Sequence, residues 1–346
     1  MSVLKATLEK IQKRDLLNAV EMAEAVGHIM DGDCHDAEIA AFLMGLSVRG
    51  ETAEEIAGAA RAIRARAAKL SAPEGAVDCC GTGGDQSGTY NVSTAVALVA
   101  AACGVPVAKH GNRAASSRSG AADVLEALGV SLDVPLPKLE DALRLFGFAF
   151  LMAPKHHQAM KHVIGVRKAL GVRTLFNLLG PLANPAGAKR QLIGVYDRKW
   201  LAPVAETLNV LGSEAALVVH GSDGLDEITV TGETYFARLD KGMITEGILY
   251  PEDFGVERHK PDELRGGDAQ INAKALLGVL EGKRGAYRDI VLANTAAVLV
   301  LAGRFGTDGY KDACSEAAKA IDQGTALDLL HNYRDFSADH RERSIQ

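Results

Sequence analysis

Along the first seventy residues, apolar positions recur at the three-and-four spacing of amphipathic helices. Between Asp15, a capping residue type, and Gly32, the side chains of Leu17, Val20, Ala23 and Met30 fall near one helical face. Asp36 opens a second helix with Ile39, Phe42, Leu43 and Leu46 as its apolar stripe. Thr52 followed by Glu55 is a capping-box pattern for a third, whose face carries Ile56 and Ile63. Arg61, Arg64 and Arg66 read as its solvated side. From about residue 72 the rhythm changes to short apolar runs alternating with helical segments. Residues 77–80, 105–108, 148–152, 192–196 and 215–220 read as strands. Strands so spaced need crossover helices, which predicts an α/β fold whose central sheet is mostly parallel and flanked by helices. Residues 229–230, 234–239 and 243–249 lie closer together and are expected to add antiparallel pieces. Beyond Pro251 and a loop at Arg265, Gly266, Gly267 and Asp268, three or four helices complete the chain. The expected division is a small all-helical domain over residues 1–70 and a large α/β domain over residues 72–346.

A chain of 346 residues that is 47% apolar and 24% charged can bury a large core. The apolar runs at 95–103 and 290–302 are too short or too polar for a span of about 20 residues, so no membrane partner is expected. No basic-then-apolar leader opens the sequence, which makes the cytoplasm the expected location. Five cysteines, including adjacent Cys79 and Cys80, lack metal-ligand spacing and read as reduced thiols packed as small apolar groups. The net charge of -6 argues against a nucleic-acid surface, which needs a basic stripe to neutralise phosphates.

The chemistry gathers around two glycine-rich stretches. Cys80-Gly81-Thr82-Gly83-Gly84-Asp85 follows an apolar run and leads, through Thr89, Asn91, Val92, Ser93 and Thr94, into an alanine-rich helix over residues 93–103. A strand, a glycine loop and a helix start in that order suit an anion, because bare backbone N–H groups can approach it and the helix end adds partial positive charge. Neither GxGxxG nor GxxxxGK[ST] occurs, which disfavours a dinucleotide or a simple ATP site. The second stretch, Lys109-His110-Gly111-Asn112-Arg113, continues to Arg118 among Ser116, Ser117 and Ser119, a set of cations and hydroxyls suited to a polyphosphate. Asp85 cannot itself favour an anion, so a sugar hydroxyl or a metal-bound water is its expected partner. His110 could act as a general base, as a hydrogen-bond donor to substrate, or as a satisfied loop residue. His156 and His157, after Pro154, read as helix-start residues.

Six segments in this order, GTGGD, NVST, KHGNRAASSRSG, GVRTLFNLLGPLANP, HGSDGLDEIT and LRGGDAQINA, resemble the anthranilate phosphoribosyltransferases over nearly the full length. The resemblance implies transfer of the phosphoribosyl group of 5-phosphoribosyl 1-pyrophosphate to the amine of anthranilate, in tryptophan biosynthesis. It implies that the sugar diphosphate meets Gly81, Thr82, Gly84, Asp85, Thr89, Asn91, Val92, Ser93, Thr94, Lys109, Asn112, Arg113, Ser116, Ser117 and Ala121. Anthranilate would meet Gly81, His110, Asn112 and Arg167, and Mg2+ would be held by Ser93, Asp226 and Glu227. Lys109 and His110 are the candidates for a direct catalytic part. The resemblance also implies a homodimer joined through the helical domain, a return of the chain to that domain around residues 155–185, and closure of the domains over the substrates. Two positions depart from the family pattern: Ala121 replaces a common serine, and Gly165 stands where proline is frequent, at an expected helix start. Related architectures belong to pyrimidine nucleoside phosphorylases and to a nucleic-acid-binding paralogue. Neither alternative explains the Asp226-Glu227 pair or the KHGN segment.

Overall fold

The computed structural model describes residues 3–85, 87–114 and 118–339. Its helical layer comprises α1 (Lys5–Gln12), α2 (Ala19–Asp31), α3 (Asp36–Arg49) and α4 (Ala53–Arg66). α3 buries the stripe of Ile39, Phe42, Leu43 and Leu46, and α4 starts at the Thr52 and Glu55 box. α2 differs from the expectation at its start. Its cap is Asn18, whose side chain accepts from the Val20 and Glu21 amides at 2.9 and 3.0 Å while Glu21 accepts from the Asn18 amide at 3.1 Å. Asp15 has no acidic partner three residues on, so the reciprocal pair forms later in the chain. The helix therefore turns Met22, Val26 and Ile29 inward and leaves Val20 66% exposed.

Beyond the layer the chain builds β1 (Val77–Gly81), α5 (Val92–Ala102), β2 (Val107–Gly111), α6 (Ala121–Ala127), α7 (Leu136–Phe146) and β3 (Phe148–Met152). α8 (Ala153–His156), α9 (Lys161–Leu170) and α10 (Phe176–Leu182) come next. They are followed by β4 (Arg190–Gly194), α11 (Leu201–Val210), β5 (Ala215–Gly221), β6 (Thr234–Asp240) and β7 (Met243–Leu249). α12 (Ala269–Leu280), α13 (Ala286–Leu301), α14 (Tyr310–Asp322) and α15 (Thr325–Ala338) finish it. One seven-stranded sheet runs in the order β3-β2-β1-β4-β5-β6-β7, with the first five strands parallel and β6 and β7 antiparallel. Residues 229–230 form no strand. There the Thr229 and Thr231 hydroxyls donate to Asp223 at 2.5 and 2.6 Å, closing a turn in place of a ladder.

Two apolar clusters hold the molecule. One surrounds α5 and α13, whose alanine-rich faces allow close helix packing on the sheet. The other joins Met22, Phe42 and Ile56 of the helical layer to Val163, Phe176 and Leu179 of α9 and α10 and to Ile193 and Val218 of the sheet. α9 and α10 thus share the helical layer's core. Of the α4 arginines, Arg61 and Arg66 are exposed, as the solvated reading has it, and Arg64 is half-buried at this junction. Arg64 donates to the Leu182 carbonyl at 2.6 Å, Arg61 to the Val210 carbonyl at 2.8 Å, and Arg66 to Asp31 at 2.7 Å. All five cysteines are free thiols. Burial pushes the Cys79 thiol up to about 12, which makes it an unreactive packing group at neutral pH.

Candidate functional site

The carboxyl ends of the parallel strands collect the two glycine stretches and the acidic pair, the place where open α/β sheets bind ligands. Gly81 ends β1, Lys109 and His110 lie in β2, Gly194 ends β4, and Gly221 leads from β5 into the turn carrying Asp226 and Glu227. The Gly83 amide donates to Asp226 Oδ2 at 2.8 Å, and the Thr82 amide to the Gly194 carbonyl at 2.9 Å. Thr82 Oγ1 accepts from the Tyr196 amide at 3.1 Å. Glycine is needed on both sides of this turn. A Cβ on Gly81 would come to 2.2 Å from Asp226 Oδ2, and one on Gly194 to 1.5 Å from the Asp226 carbonyl oxygen.

Lys109 is 1% exposed, and its ammonium donates to the Cys79 carbonyl at 2.7 Å and to Ser93 Oγ at 3.2 Å. The Ser93 backbone also lies near Glu227 and favours its charged form. Gly83, Ser93, Lys109, Asp226 and Glu227 therefore converge. Burial is the main cause that raises the Asp226 carboxyl to about 7, with the neighbouring Asp85 charge adding to it. Burial also lifts Glu227 well above the carboxylate range, and Asp226 lifts it further, against a smaller opposing pull from Lys109. As whole residues Asp226 and Glu227 are half-buried. Two acids and Asp85 facing one ammonium leave a surplus of negative charge that a divalent cation would cancel. The donors fit magnesium, a hard ion that takes one or two carboxylates and completes its shell with water and substrate phosphates. Among the described residues no group of three or more His, Cys, Asp or Glu side chains converges as a metal cage.

The other residues expected at the diphosphate lie in the segments that follow β1 and β2. Asp85 accepts from the Ser87 hydroxyl at 2.5 Å, and that hydroxyl lies 3.2 Å from Thr89 Oγ1. Asn91 donates to the Ser119 carbonyl at 3.2 Å and accepts from Asn272 at 2.8 Å, while its own carbonyl accepts from the Tyr287 hydroxyl at 3.0 Å. Val92 is buried at the start of α5, and the buried Thr94 hydroxyl has no hydrogen-bond partner among the described residues. Gly84 presents its carbonyl to the Arg173 guanidinium, so that carbonyl is already occupied. Asn112 accepts from the Arg113 amide at 2.8 Å. Arg113 is committed to Asp123 and Glu126, at 3.0 and 2.8 Å, so its charge is balanced within the loop and α6. Ala121 is the first residue of α6. Ser116 and Ser117 lie outside the described residues.

On the acceptor side, His110 is 6% exposed, and its Nδ1 is 3.1 Å from the Gly180 carbonyl while Nε2 has no partner among the described residues. Burial, with His157 second, lowers it to about 3, so the ring is neutral at pH 7 and Nδ1 is the donor to the carbonyl. The His157 ring meets it edge-on at 5.2 Å. Arg167, on α9, stands 5.7 Å from the Phe176 ring centroid, and among the described residues no carboxylate pairs with it. Burial lowers its pKa. Phe176 and Gly180 are one turn apart on α10, so Arg167 and His110 contact the same helix about 6 Å apart along its axis. Two expectations are corrected here. His156 does not start a helix but ends α8, its Nδ1 2.9 Å from the Ala68 carbonyl, whereas His157 does stand at a helix start, capping the 3-10 turn Gln158–Met160. Gly165 sits inside α9 and not at its start, which lies four residues earlier at Lys161.

Three features escaped the sequence reading. Arg173 spans the Gly84 carbonyl and the Tyr196 ring, 4.2 Å from its centroid. Tyr90 stacks on Tyr287 at 4.4 Å, seating the NVST segment against α13. Asp78 and Asn184, 106 positions apart in sequence, share a buried hydrogen bond of 2.7 Å. A lone aspartate inside the apolar run Ala76 to Cys80 was the signal for the last.

The helical layer and sheet, with an acid pair set against a glycine loop, define a glycosyl-transferring class. The chain belongs to the glycosyl transferase family, whose helical bundle domain matches residues 5–67 and whose a/b domain matches residues 73–327. It is 54% identical over 329 residues to anthranilate phosphoribosyltransferase of Azospirillum brasilense, covering 95% of this chain and 92% of that one. With the same enzyme of Mesorhizobium japonicum the identity is 52%, covering 97% and 99%. The crystal structure of anthranilate phosphoribosyltransferase from Thermus thermophilus is similar with a TM-score of 0.90 and 43% identity, covering 95% and 98% of the two chains. The Saccharomyces cerevisiae enzyme in complex with PRPP and Mg has a TM-score of 0.87 and 30% identity, covering 97% and 99%.

Proposed function

We propose that the protein transfers the phosphoribosyl group of 5-phosphoribosyl 1-pyrophosphate to the amine of anthranilate, giving N-(5-phosphoribosyl)anthranilate and pyrophosphate, within tryptophan biosynthesis. The observation that carries this reading is the convergence of Gly83, Ser93, Lys109, Asp226 and Glu227 at one end of the sheet. In the reaction the bond from the anomeric carbon to the diphosphate oxygen breaks, and its electron pair leaves with pyrophosphate. The amine nitrogen forms the new bond to that carbon and then releases a proton. Positive charge spreads over the sugar ring as the leaving group departs, as in glycoside cleavage. Lys109 stabilises the departing oxygens, and the amides of the glycine loop approach them without side chains in the way. Asp226, Glu227 and Ser93 hold magnesium, which supplies the positive charge that the protein's own groups lack when bound beside the diphosphate.

The acceptor side needs no strong base. An aromatic amine is already neutral at pH 7, so the site's task is to aim it. Arg167 takes the carboxylate of anthranilate through paired hydrogen bonds. His110, neutral and held by Gly180, offers Nε2 to the acceptor. Loss of anthranilate fluorescence that requires both the sugar diphosphate and magnesium is the expected result. Consumption of anthranilate without the sugar diphosphate, or none with it, overturns the reading. A phosphorylase would instead cleave pyrimidine nucleosides with phosphate, and the acid pair does not serve that reaction.

The enzyme works as a homodimer through its helical layer. Leu8, Ile11, Met44 and Val48 line a groove of about 720 Å3 between α1 and α3, and Val48 is 75% exposed. Among the described residues no helix is long and apolar enough to cross a membrane, in keeping with a cytoplasmic site of action. The chain divides into the helical domain of residues 1–70, completed by α9 and α10, and the large α/β domain.

A further inference from the structure

β1 pairs with β4 at five positions and β2 pairs with β3 at five, whereas β1 and β2 are in register at Val77↔Val107 alone. Beyond that point three backbone groups facing the gap are taken by side chains. The His110 amide donates to Asp78 Oδ1 at 3.1 Å. The Ala108 carbonyl accepts from Asn184 Nδ2 at 2.8 Å, and the Cys79 carbonyl accepts from the Lys109 ammonium at 2.7 Å. In an unbroken parallel ladder these groups would bond across the strands. The separation opens at the point where Lys109 reaches back over β1 to Ser93 Oγ.

Asp78 is fully buried, and its second oxygen accepts from Asn184 Nδ2 at 2.7 Å and from Cys80 Sγ at 3.4 Å. Asn184, 2% exposed, lies between α10 and β4 and accepts from the Ala186 amide at 2.8 Å. One carboxylate therefore touches the backbone next to Lys109 and the segment that follows the helix holding His110. Building on the transferase reading above, we infer that Asp78, with Asn184, is a positioning residue that keeps the β1 and β2 strands apart and so sets Lys109 for the diphosphate and His110 for the acceptor. A carboxylate suits this place because it accepts several hydrogen bonds at once and donates none.

The test is a pair of substitutions at the two partners, alone and together. Asp78→Asn sets two amide donors against each other, and kcat/KM is expected to fall about 100-fold, since misplacement near 1 Å costs that much. Asn184→Ala removes the opposing donor, so the loss in Asp78→Asn combined with Asn184→Ala is expected to be smaller than the two single losses multiplied. Binding of inorganic pyrophosphate with magnesium, read by calorimetry without turnover, should weaken about tenfold in Asp78→Asn, the range seen when a supporting partner is lost. Normal kinetics and pyrophosphate affinity in Asp78→Asn overturn the inference, as do single losses that simply multiply in the double variant. If Asp78→Asn does not fold, Asn184→Ala is read the same way, and a lower melting temperature with unchanged kcat/KM and pyrophosphate affinity overturns it. An inactive wild-type protein would instead sink the transferase reading, while pyrophosphate binding still decides the role of Asp78.

Discussion

The helical layer and the cleft each bury acids, and they do so in opposite ways. Glu55 on α4 is fully buried and has a complete set of partners. Both of its oxygens lie 2.5 Å from the Arg49 guanidinium, and it accepts from the Leu17 and Thr52 amides at 2.9 Å each. Asp226 and Glu227 crowd each other and Asp85, and their nearby cation, Lys109, is shared. A buried charge with every partner in place is architecture. A buried set of charges short of a counter-ion marks where something else must bind.

Removing the acids tests that contrast most severely. Asp226→Asn with Glu227→Gln should lower turnover by about a thousandfold or more, the scale at which a lost electrostatic stabiliser of a transition state shows. Because the amides relieve repulsion, the melting temperature should hold or rise. Unaltered magnesium-dependent kinetics in the double variant would end the assignment. The matching change in the helical layer is Arg49→Met, which leaves Glu55 buried and unpaired and should cost about 3–5 kcal/mol of stability. Turnover per folded molecule should stay at the wild-type level, measured below the melting transition. If Arg49→Met instead raised the Michaelis constants at full stability, the helical layer would hold a part of the site that its hydrogen bonds do not reveal.

These two regions were also unequally legible. Helices α3 and α4 and the strand β3 follow from local periodicity and capping, because their side chains answer to neighbours a few residues away. α2 was misplaced by three residues because two capping types compete, and only Asn18 has a glutamate at the right distance. β2 runs later than its apolar stretch because Lys109 and His110 are buried strand residues whose polarity disguises them. The glycine loops and the acid pair could be read as types, yet they meet across more than a hundred residues of sequence, through several crossovers. Asp78 with Asn184, and Arg173 with Gly84, left no periodic trace, since each pair exists only once the sheet has formed.

A smaller effect separates the two ends of the cleft itself. Arg167→Ala should raise the Michaelis constant for anthranilate about 10- to 100-fold, the worth of a hydrogen-bonded charge, and that for the sugar diphosphate by much less. Equal rises in both constants would remove Arg167 from the acceptor side and return it to packing against Phe176.

The mildest test is the pH dependence of the ligand-free protein. Asp226 has a folded value of about 7 against an unfolded value of 3.8, so the folded state keeps a proton that the unfolded state has lost. Stability from this group is therefore fully present below pH 3.8 and falls as pH rises to about 7. His110 works in the other sense, because its folded value of about 3 lies below the usual 6.5 and destabilises the fold as pH drops. The total curve mixes both signs, so the reading must come from the difference between wild type and Asp226→Asn. That difference in melting temperature should widen in favour of the variant between about pH 4 and 7, reach on the order of 5 °C, and stay level above. Magnesium with pyrophosphate should close the gap by stabilising the wild type alone. A difference that is constant across this range would mean that Asp226 is ionised throughout, and that the cleft already satisfies its charge as the helical layer satisfies Glu55.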